Sequence, residues 1–163
     1  MSAESVRAWI AEHAPELTII EAQGTTATVD TAAAELGVEP GQIAKTLAVR
    51  AGDLLFLLVT RGNARLDNRK CKNELGARPR MLGPEEALEA TGHPVGGVCP
   101  FGLKQPLPVY VDITLRAFDT VYPAGGSRNT SIAMAPERLF DLAGERCRPL
   151  YPTRSGRDLA PRR

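Results

Sequence analysis

Two apolar runs separated by a three-residue turn constrain the fold of this chain more than any other feature. Residues 45–50 and 54–60 are predominantly apolar, and Ala51-Gly52-Asp53 lies between them. A short loop that contains glycine, placed between two apolar runs of strand length, is typical of a β-hairpin. The sequence therefore predicts a hairpin formed by these two runs.

The segments on either side of this hairpin predict shorter elements of both types. Apolar spacing and turn residues indicate helices around residues 6–17, 31–36, 67–75, 84–90 and 136–142, and strands at 17–22, 109–113, 120–122 and 131–135. These elements do not alternate as regular βαβ units. We therefore expect an α+β fold, with a mixed, partly barrel-like β-sheet and surrounding short helices.

The length of 163 residues fits one domain with its own core. We expect that domain to occupy residues 1–150. From residue 151 the composition shifts to Pro, Gly, Ser and Arg without an apolar period. Residues 151–163 are therefore predicted to form a flexible basic tail.

The composition argues against several classes of protein. Three cysteines without a CxxC pair are typical of free thiols in a reducing compartment, so we expect a cytoplasmic protein. The first ten residues lack the features of a signal peptide, and no run is long enough to span a membrane. Two histidines and scattered cysteines lack the spacing of zinc ligands, and we expect no metal and no cofactor.

Charge is distributed unevenly along the chain. The formal net charge is only +1, but residues 61–80 contain seven basic residues and only two acidic ones, Asp67 and Glu74. Such a concentration can attract a polyanion such as RNA to one face. A solvated helix with its loops explains the same charges equally well.

Lys45 and two glycine-rich segments are the strongest candidates for a site. Lys45 is a lone lysine at the edge of an apolar run, where its ammonium group can emerge into a cleft. Residues 96–102 and Gly125-Gly126 can bring backbone N–H groups close to an anion or an oxyanion. The simpler explanations are a solvated lysine, an ordered loop and a tight turn.

A cysteine nucleophile is a separate possibility. Cys99 and His93 are close in sequence, and thiol catalysis needs a base of this kind. No helix clearly begins at Cys99 to lower the pKa of its thiol. The sequence therefore favours Lys45 over Cys99 as the catalytic centre.

Taken together, the segments 43–47, 91–102 and 124–126, with Asp112, resemble the YbaK/EbsC family. The resemblance covers about residues 20–148. Members are freestanding relatives of the editing domain of bacterial prolyl-tRNA synthetases, and they remove wrong amino acids from tRNA, typically tRNA(Pro). The resemblance thus implies trans-editing hydrolysis of the ester bond of mischarged aminoacyl-tRNA, with a small wrong amino acid on tRNA(Pro) as substrate.

The resemblance also assigns roles to residues. Lys45 matches the essential lysine, and Gly96 and Pro100 match the family's Gly-x-x-x-Pro motif, so Lys45 and Gly96 are the expected catalytic residues. The expected substrate-binding residues are Thr28, Thr46, Gly97, Pro100, Ala124, Gly125 and Gly126. The expected tRNA-binding residues are Arg61, Arg65, Arg69, Lys70 and Lys72.

Three positions depart from the pattern of Cys-tRNA(Pro) deacylases. Ala124 stands where they carry serine, Ser131 where they carry aspartate, and Thr28 where they carry a larger aromatic residue. These differences bear on which amino acid is removed. The expected partners are aminoacyl-tRNA and prolyl-tRNA synthetase. The alternative function is a non-catalytic module that binds tRNA or a synthetase through the same cleft.

Overall fold

The computed structural model describes residues 2–65, 69, 72–73, 76–143 and the backbone of 145–147. Its helices are α1 (Ser2–His13), α2 (Val29–Leu36), α3 (Pro84–Thr91) and α4 (Pro136–Ala143). Its strands are β1 (Ile19–Glu21), β2 (Ile43–Ala51), β3 (Leu54–Arg61), β4 (Pro79–Met81), β5 (Val109–Asp112), β6 (Tyr122–Pro123), β7 (Thr130–Ile132) and β8 (Glu145–Cys147). The predicted α+β class is confirmed.

The predicted hairpin forms the centre of the main sheet. Strands β2 and β3 pair in antiparallel register from Ala44 opposite Arg61 to Ala51 opposite Leu54. The strand order is β4-β2-β3-β5-β8, with β5 parallel to β3 and β8 parallel to β5. Strand β6 also pairs with β2, and β1 and β7 form a separate two-stranded sheet. The main sheet is mixed, as predicted, and it is not closed into a barrel.

Side chains of the hairpin alternate between its two faces and contribute to two separate hydrophobic clusters. On one face, Ala48, Leu57 and Val59 pack with the buried sides of α1, α3 and α4 in the principal core. On the other face, Phe56 and Leu58 form a smaller cluster with partly buried neighbours. The period of two residues places successive side chains on opposite faces of a strand. The hairpin is therefore buried on both sides, which explains its nearly continuous apolar sequence.

Local sequence explains some boundaries and misses others. Helix α2 begins at Val29, two residues before the predicted start, because Thr28 caps it: the Thr28 Oγ1 accepts a hydrogen bond from the Thr31 N–H at 3.2 Å. Strands β4 and β8 were not predicted, since three residues are too few to show alternation. Most of the predicted helix at 67–75 and the tail at 151–163 lie outside the described residues. Within residues 67–75, the described residues Arg69, Lys72 and Asn73 are helical.

None of the helices in the described part of the chain combines the length and the apolar character needed to cross a bilayer.

Candidate active site

An open stretch along one edge of β2 defines the site. On one side β2 pairs with β3 over most of its length. On the other side it pairs only with β6, at Ile43 and Ala44, and with β4, at residues 49–51. The Leu82 N–H also donates to the Ala48 carbonyl at 3.0 Å, on the β4 side. Between these two pairings, at residues 45–47, no described strand pairs with the edge of β2.

A pocket of about 310 Å³ opens beside this uncovered edge. Its walls come from distant parts of the chain: β2, the segment before α2, the loop after α3, and the β6–β7 region. Small apolar side chains line much of it, namely Ala27, Ala32, Ala44, Ala48, Ala87 and Ala124. Lys45, Thr46, Thr28 and Gly96 also line it. Together with Ala124, the fold thus brings five predicted site residues around one cavity.

Lys45 stands half-buried at this pocket. Its Nζ donates a hydrogen bond to the backbone carbonyl oxygen of Ala64, which follows β3. Burial lowers the pKa of Lys45 below the ordinary value for lysine, and the nearby charge of Arg65 lowers it further. A cation that is partly removed from water interacts more strongly with a negative or polarised oxygen than a fully solvated one.

Thr46 carries a polar atom that the protein leaves unsatisfied. Its Oγ1 is buried and has no hydrogen-bond partner among the described residues. The Ala48 carbonyl points toward Leu82, on the side of β2 away from β3. Backbone groups two residues apart point the same way along a strand, so those of Thr46 point to the same side as those of Ala48. The Thr46 N–H and carbonyl therefore face the open edge. A buried hydroxyl without a partner is costly unless a ligand satisfies it.

Gly96 has a backbone that only glycine adopts easily. Its φ is +93°, and a Cβ atom there would lie 2.9 Å from the Ala27 Cβ. This close approach joins the loop after α3 to the segment before α2, so the two walls of the pocket meet at Gly96. In the described part of the chain we find no acceptor for the Gly96 N–H. The neighbouring Gly97 N–H is already used, in a 2.9 Å bond to the Pro94 carbonyl.

The other predicted glycines and Pro100 are not among the residues that line the pocket. A Cβ on Gly97 would lie 2.7 Å from the Ser127 backbone nitrogen, so two loops pack directly against each other there. Gly125, Gly126 and Pro100 are buried. The Gly126 carbonyl accepts a hydrogen bond from the Ser2 hydroxyl of α1. These residues pack against neighbouring segments and support the pocket wall. From the sequence alone, such a supporting role looks the same as direct contact with a ligand.

His93 and Cys99 form a closed cluster in the core. Burial raises the pKa of the Cys99 thiol to about 12, so the thiol is protonated near neutral pH. The His93 Nε2 lies 3.7 Å from the Cys99 Sγ and 2.7 Å from the Phe101 carbonyl. Because a carbonyl only accepts, Nε2 carries a proton and donates it, and it cannot take one from the thiol. This geometry disfavours a thiol nucleophile.

The predicted tRNA-binding residues lie at the end of β3 and beyond it. Arg65, Arg69 and Lys72 are exposed, Arg61 is half-buried, and Lys70 lies outside the described residues. A shallow depression near them is lined by Arg69, Lys72, Asn73 and Arg78. Arg65 is close enough to Lys45 to affect its pKa. The basic surface thus approaches the pocket through Arg65.

Asp112 has a structural position at the end of β5. It is fully buried, and its carboxylate accepts hydrogen bonds from the Thr114 N–H and hydroxyl, both at 2.8 Å. Burial raises the pKa of Asp112 above its usual range, while the Thr114 bonds and the charge of Arg61 oppose that change. The searched residues contain no grouping of three His, Cys, Asp or Glu side chains that could hold a metal ion.

Several lining residues were not predicted from the sequence. Ala27, Val29, Leu47, Met81, Val95 and Tyr122 contribute to the pocket. They belong to separate segments that no short motif connects. Only the tertiary arrangement of β2, β4 and the loops assembles them.

Comparison with known proteins agrees with this arrangement. Residues 23–142 match the model of the aminoacyl-tRNA editing domain. The protein YwhH of Bacillus subtilis, which is uncharacterised, is 44% identical over 144 residues, covering 88% of this chain and 92% of that protein. EbsC of Enterococcus faecalis, named as a candidate Cys-tRNA(Pro)/Cys-tRNA(Cys) deacylase, is 29% identical over 69% of this chain and 70% of its own length.

A solved structure shares this fold over most of its length. It is described as a candidate trans-editing enzyme for prolyl-tRNA synthetase, and it superposes with a TM-score of 0.81 at 34% identity. The match covers 88% of this chain and 92% of that one. Fold and pocket thus define an editing domain of the kind that acts on aminoacyl-tRNA. The chain belongs to the aminoacyl-tRNA editing domain family, which confirms the predicted resemblance and the predicted class of enzyme, an aminoacyl-tRNA deacylase.

Proposed function

We propose that this protein hydrolyses, in trans, the ester bond of tRNA(Pro) that carries a small wrong amino acid. One observation carries the proposal: Lys45 and Thr46 of β2 and the distant Gly96 line one pocket of about 310 Å³. That pocket has the size of a small-molecule site, and the Thr46 hydroxyl on its wall has no partner among the described residues and is available to a ligand.

The chemistry needs no protein nucleophile. An aminoacyl ester is already activated, so positioning and oxyanion stabilisation suffice. Water adds to the ester carbonyl carbon, the bond from that carbon to the ribose oxygen breaks, and the ribose oxygen takes a proton. Lys45 binds the carbonyl oxygen or the terminal phosphate, and the Gly96 N–H donates to the oxyanion. The products are the free amino acid and deacylated tRNA.

The pocket walls favour a small side chain on the substrate. Alanines at positions 27, 48 and 124 bring the backbone close to the cavity and leave little polar surface. The Thr46 Oγ1 and the Thr46 carbonyl then bind the polar amino-acid backbone, including the α-ammonium group. Thr28 contributes to the wall while its hydroxyl caps α2.

The choice of tRNA rests on the relatives. EbsC is named for Cys-tRNA(Pro) and Cys-tRNA(Cys), and the structural match is described as serving prolyl-tRNA synthetase. These descriptions support tRNA(Pro) as the substrate and prolyl-tRNA synthetase as the partner that produces the mischarged tRNA. Arg61, Arg65, Arg69, Lys70 and Lys72 are the proposed contacts to the phosphates of the acceptor stem. Protein synthesis supplies this substrate in the cytoplasm, which is the proposed location.

A panel of mischarged tRNAs tests the proposal. Ala-, Ser-, Cys-, Thr- and 2-aminobutyryl-tRNA(Pro) are incubated with the protein, and the rate of deacylation is compared with the spontaneous rate. We expect at least one to be hydrolysed well above background and correctly charged Pro-tRNA(Pro) to be spared. Binding of tRNA without turnover on any of them would favour the non-catalytic module instead.

A further inference from the structure

Two exposed apolar side chains stand at the mouth of the pocket. Large hydrophobic residues are exposed at three described positions, Met81 (47%), Leu88 (50%) and Val95 (43%). Met81 and Val95 line the pocket, whereas Leu88 does not. Met81 belongs to β4, and Val95 to the loop that contains Gly96. The mouth therefore has one exposed apolar side chain on each of two walls.

The proposed substrate brings an apolar surface to this place. If the ester lies between Lys45 and Gly96, the rest of the tRNA must leave through the mouth. The terminal ribose and its adenine are then the first groups outside the pocket. An unpaired base has two apolar faces that gain from contact with protein side chains. At the mouth, the exposed thioether of Met81 and the exposed aliphatic side chain of Val95 are placed to supply that contact.

A cation beside Val95 suits a nucleotide better than a purely apolar partner. The Arg128 Nε donates to the Val95 carbonyl at 3.2 Å, and the Arg128 side chain is exposed. The Arg128 carbonyl in turn accepts from the Thr26 N–H at 2.6 Å, which fixes this side of the mouth. The rim thus offers apolar contacts next to a positive charge, matching a base joined to a phosphate.

We infer that Met81 and Val95 form a clamp for the terminal adenine of the tRNA, one side chain against each face of the base. The inference rests on the proposed function, because it takes the position of the ester from it. It assigns to these two residues the recognition of the nucleoside, separately from the recognition of the amino acid inside the pocket.

Two small substrates with the same amino acid test the clamp. One is the 3′-aminoacyl ester of adenosine, and the other is the methyl ester of the amino acid that the tRNA panel identifies. Met81→Ser, Val95→Ser and the double variant are compared with the unmodified protein. We expect the double variant to lose roughly five- to tenfold in kcat/KM on the adenosine ester. The methyl ester, which has no base, should be hydrolysed at an unchanged rate.

Leu88→Ser is the matched control, because Leu88 is similarly exposed but does not line the pocket. It should leave both rates unchanged. An equal loss on both esters in the double variant would overturn the inference, since the two residues would then shape the amino-acid pocket. Unchanged rates on both would overturn it as well. Failure of the unmodified protein on every mischarged tRNA would instead contradict the proposed function.

Discussion

The pocket beside Lys45 and the cluster around His93 share one loop, residues 92–102. They differ in whether their buried polar groups have hydrogen-bond partners. In the pocket, the Thr46 Oγ1 is buried without a partner among the described residues, and the β2 edge is uncovered. In the cluster, both ring nitrogens of His93 have partners, Ser2 at 2.5 Å and the Phe101 carbonyl at 2.7 Å. The Cys99 thiol also has a partner.

The difference separates a binding site from a structural one. Satisfied polar groups in a core rigidify it, whereas an unsatisfied group costs stability and persists where a ligand completes it. By this criterion Cys99 and His93, which the sequence offered as an alternative thiol and base, hold the loop in place. Thr46, whose buried hydroxyl has no partner among the described residues, is the residue that we expect to face the ligand.

The largest expected effect comes from changing the loop where it meets the pocket. Gly96→Ala forces a positive φ on alanine and brings its Cβ against Ala27. The proposed oxyanion donor is then displaced, and loss of one such donor costs about 100-fold or more in rate. We expect at least that loss in kcat/KM, measured under single-turnover conditions.

Gly37→Ala is the control for backbone strain. Gly37 has a φ of +67°, and a Cβ there would meet nothing within 4 Å. It should cost stability of about 1 kcal/mol and leave kcat/KM unchanged. A comparable loss of activity in both variants would mean that strain, and not the position of the Gly96 backbone, limits the rate.

A smaller effect is expected from the basic surface outside the pocket. Replacing Arg65, Arg69 and Lys72 together with Ala should raise KM for aminoacyl-tRNA about tenfold and reduce the slope of log KM against log salt by roughly 2 to 3. The chemical step should change little. Steady-state kinetics at several salt concentrations provide the measurement.

A second triple variant serves as the control, because it changes the net charge by the same amount at positions outside residues 61–80. Arg7, Arg116 and Arg138 form exposed ion pairs with Glu21, Glu137 and Glu16. Replacing these three arginines with Ala should leave KM and its salt dependence close to those of the unmodified protein. Equal changes in both triple variants would show that net charge, and not the surface near residue 65, attracts the tRNA.

The sequence predicted the scaffold better than the site. The hairpin and the helix starting at Pro84 follow from local signals: an apolar run with a glycine turn, and proline at the first helical position. Lys45 and the segment with Gly96 stood out as candidates from local features, but their roles, and the choice of Thr46, came from a resemblance. Met81 and Val95 carry no local signal, because their place at the mouth depends on how β4 and the Gly96 loop pack. The unsatisfied state of Thr46 is likewise a property of packing alone.

Two threonines allow the comparison between the regions to be tested directly. Thr46→Val removes a buried hydroxyl without a protein partner and should lower kcat/KM about fivefold, the effect of about 1 kcal/mol. Thermal stability should stay equal or rise. In the closed region, the Thr91 hydroxyl donates to the Ala87 carbonyl at 2.7 Å. Thr91→Val should therefore lose stability of about 1–3 kcal/mol and keep its activity. A loss of stability without a loss of activity in Thr46→Val, together with a loss of activity without a loss of stability in Thr91→Val, would contradict the comparison.

The smallest expected effect concerns the pH dependence of Lys45. Burial and the charge of Arg65 both lower the pKa of Lys45, so its cationic form is lost at lower pH than for a solvated lysine. Arg65→Ala removes one of these causes and raises the pKa. The alkaline fall of the enzymatic rate, corrected for spontaneous hydrolysis, should then move to higher pH. Arg78→Ala, which removes a charge from the same surface, should leave that limb in place.

The most direct test of the central claim compares Lys45→Ala with Cys99→Ala on the same mischarged tRNA. Lys45→Ala removes a charge-assisted contact to the reacting ester, and we expect a loss of about 100-fold or more in the single-turnover rate. Circular dichroism and thermal melting should show a folded protein. Cys99→Ala should keep most of its activity even if it melts at a lower temperature. Near-normal turnover by folded Lys45→Ala, or an equally deep loss in folded Cys99→Ala, would contradict the assignment of the chemistry to the Lys45 pocket.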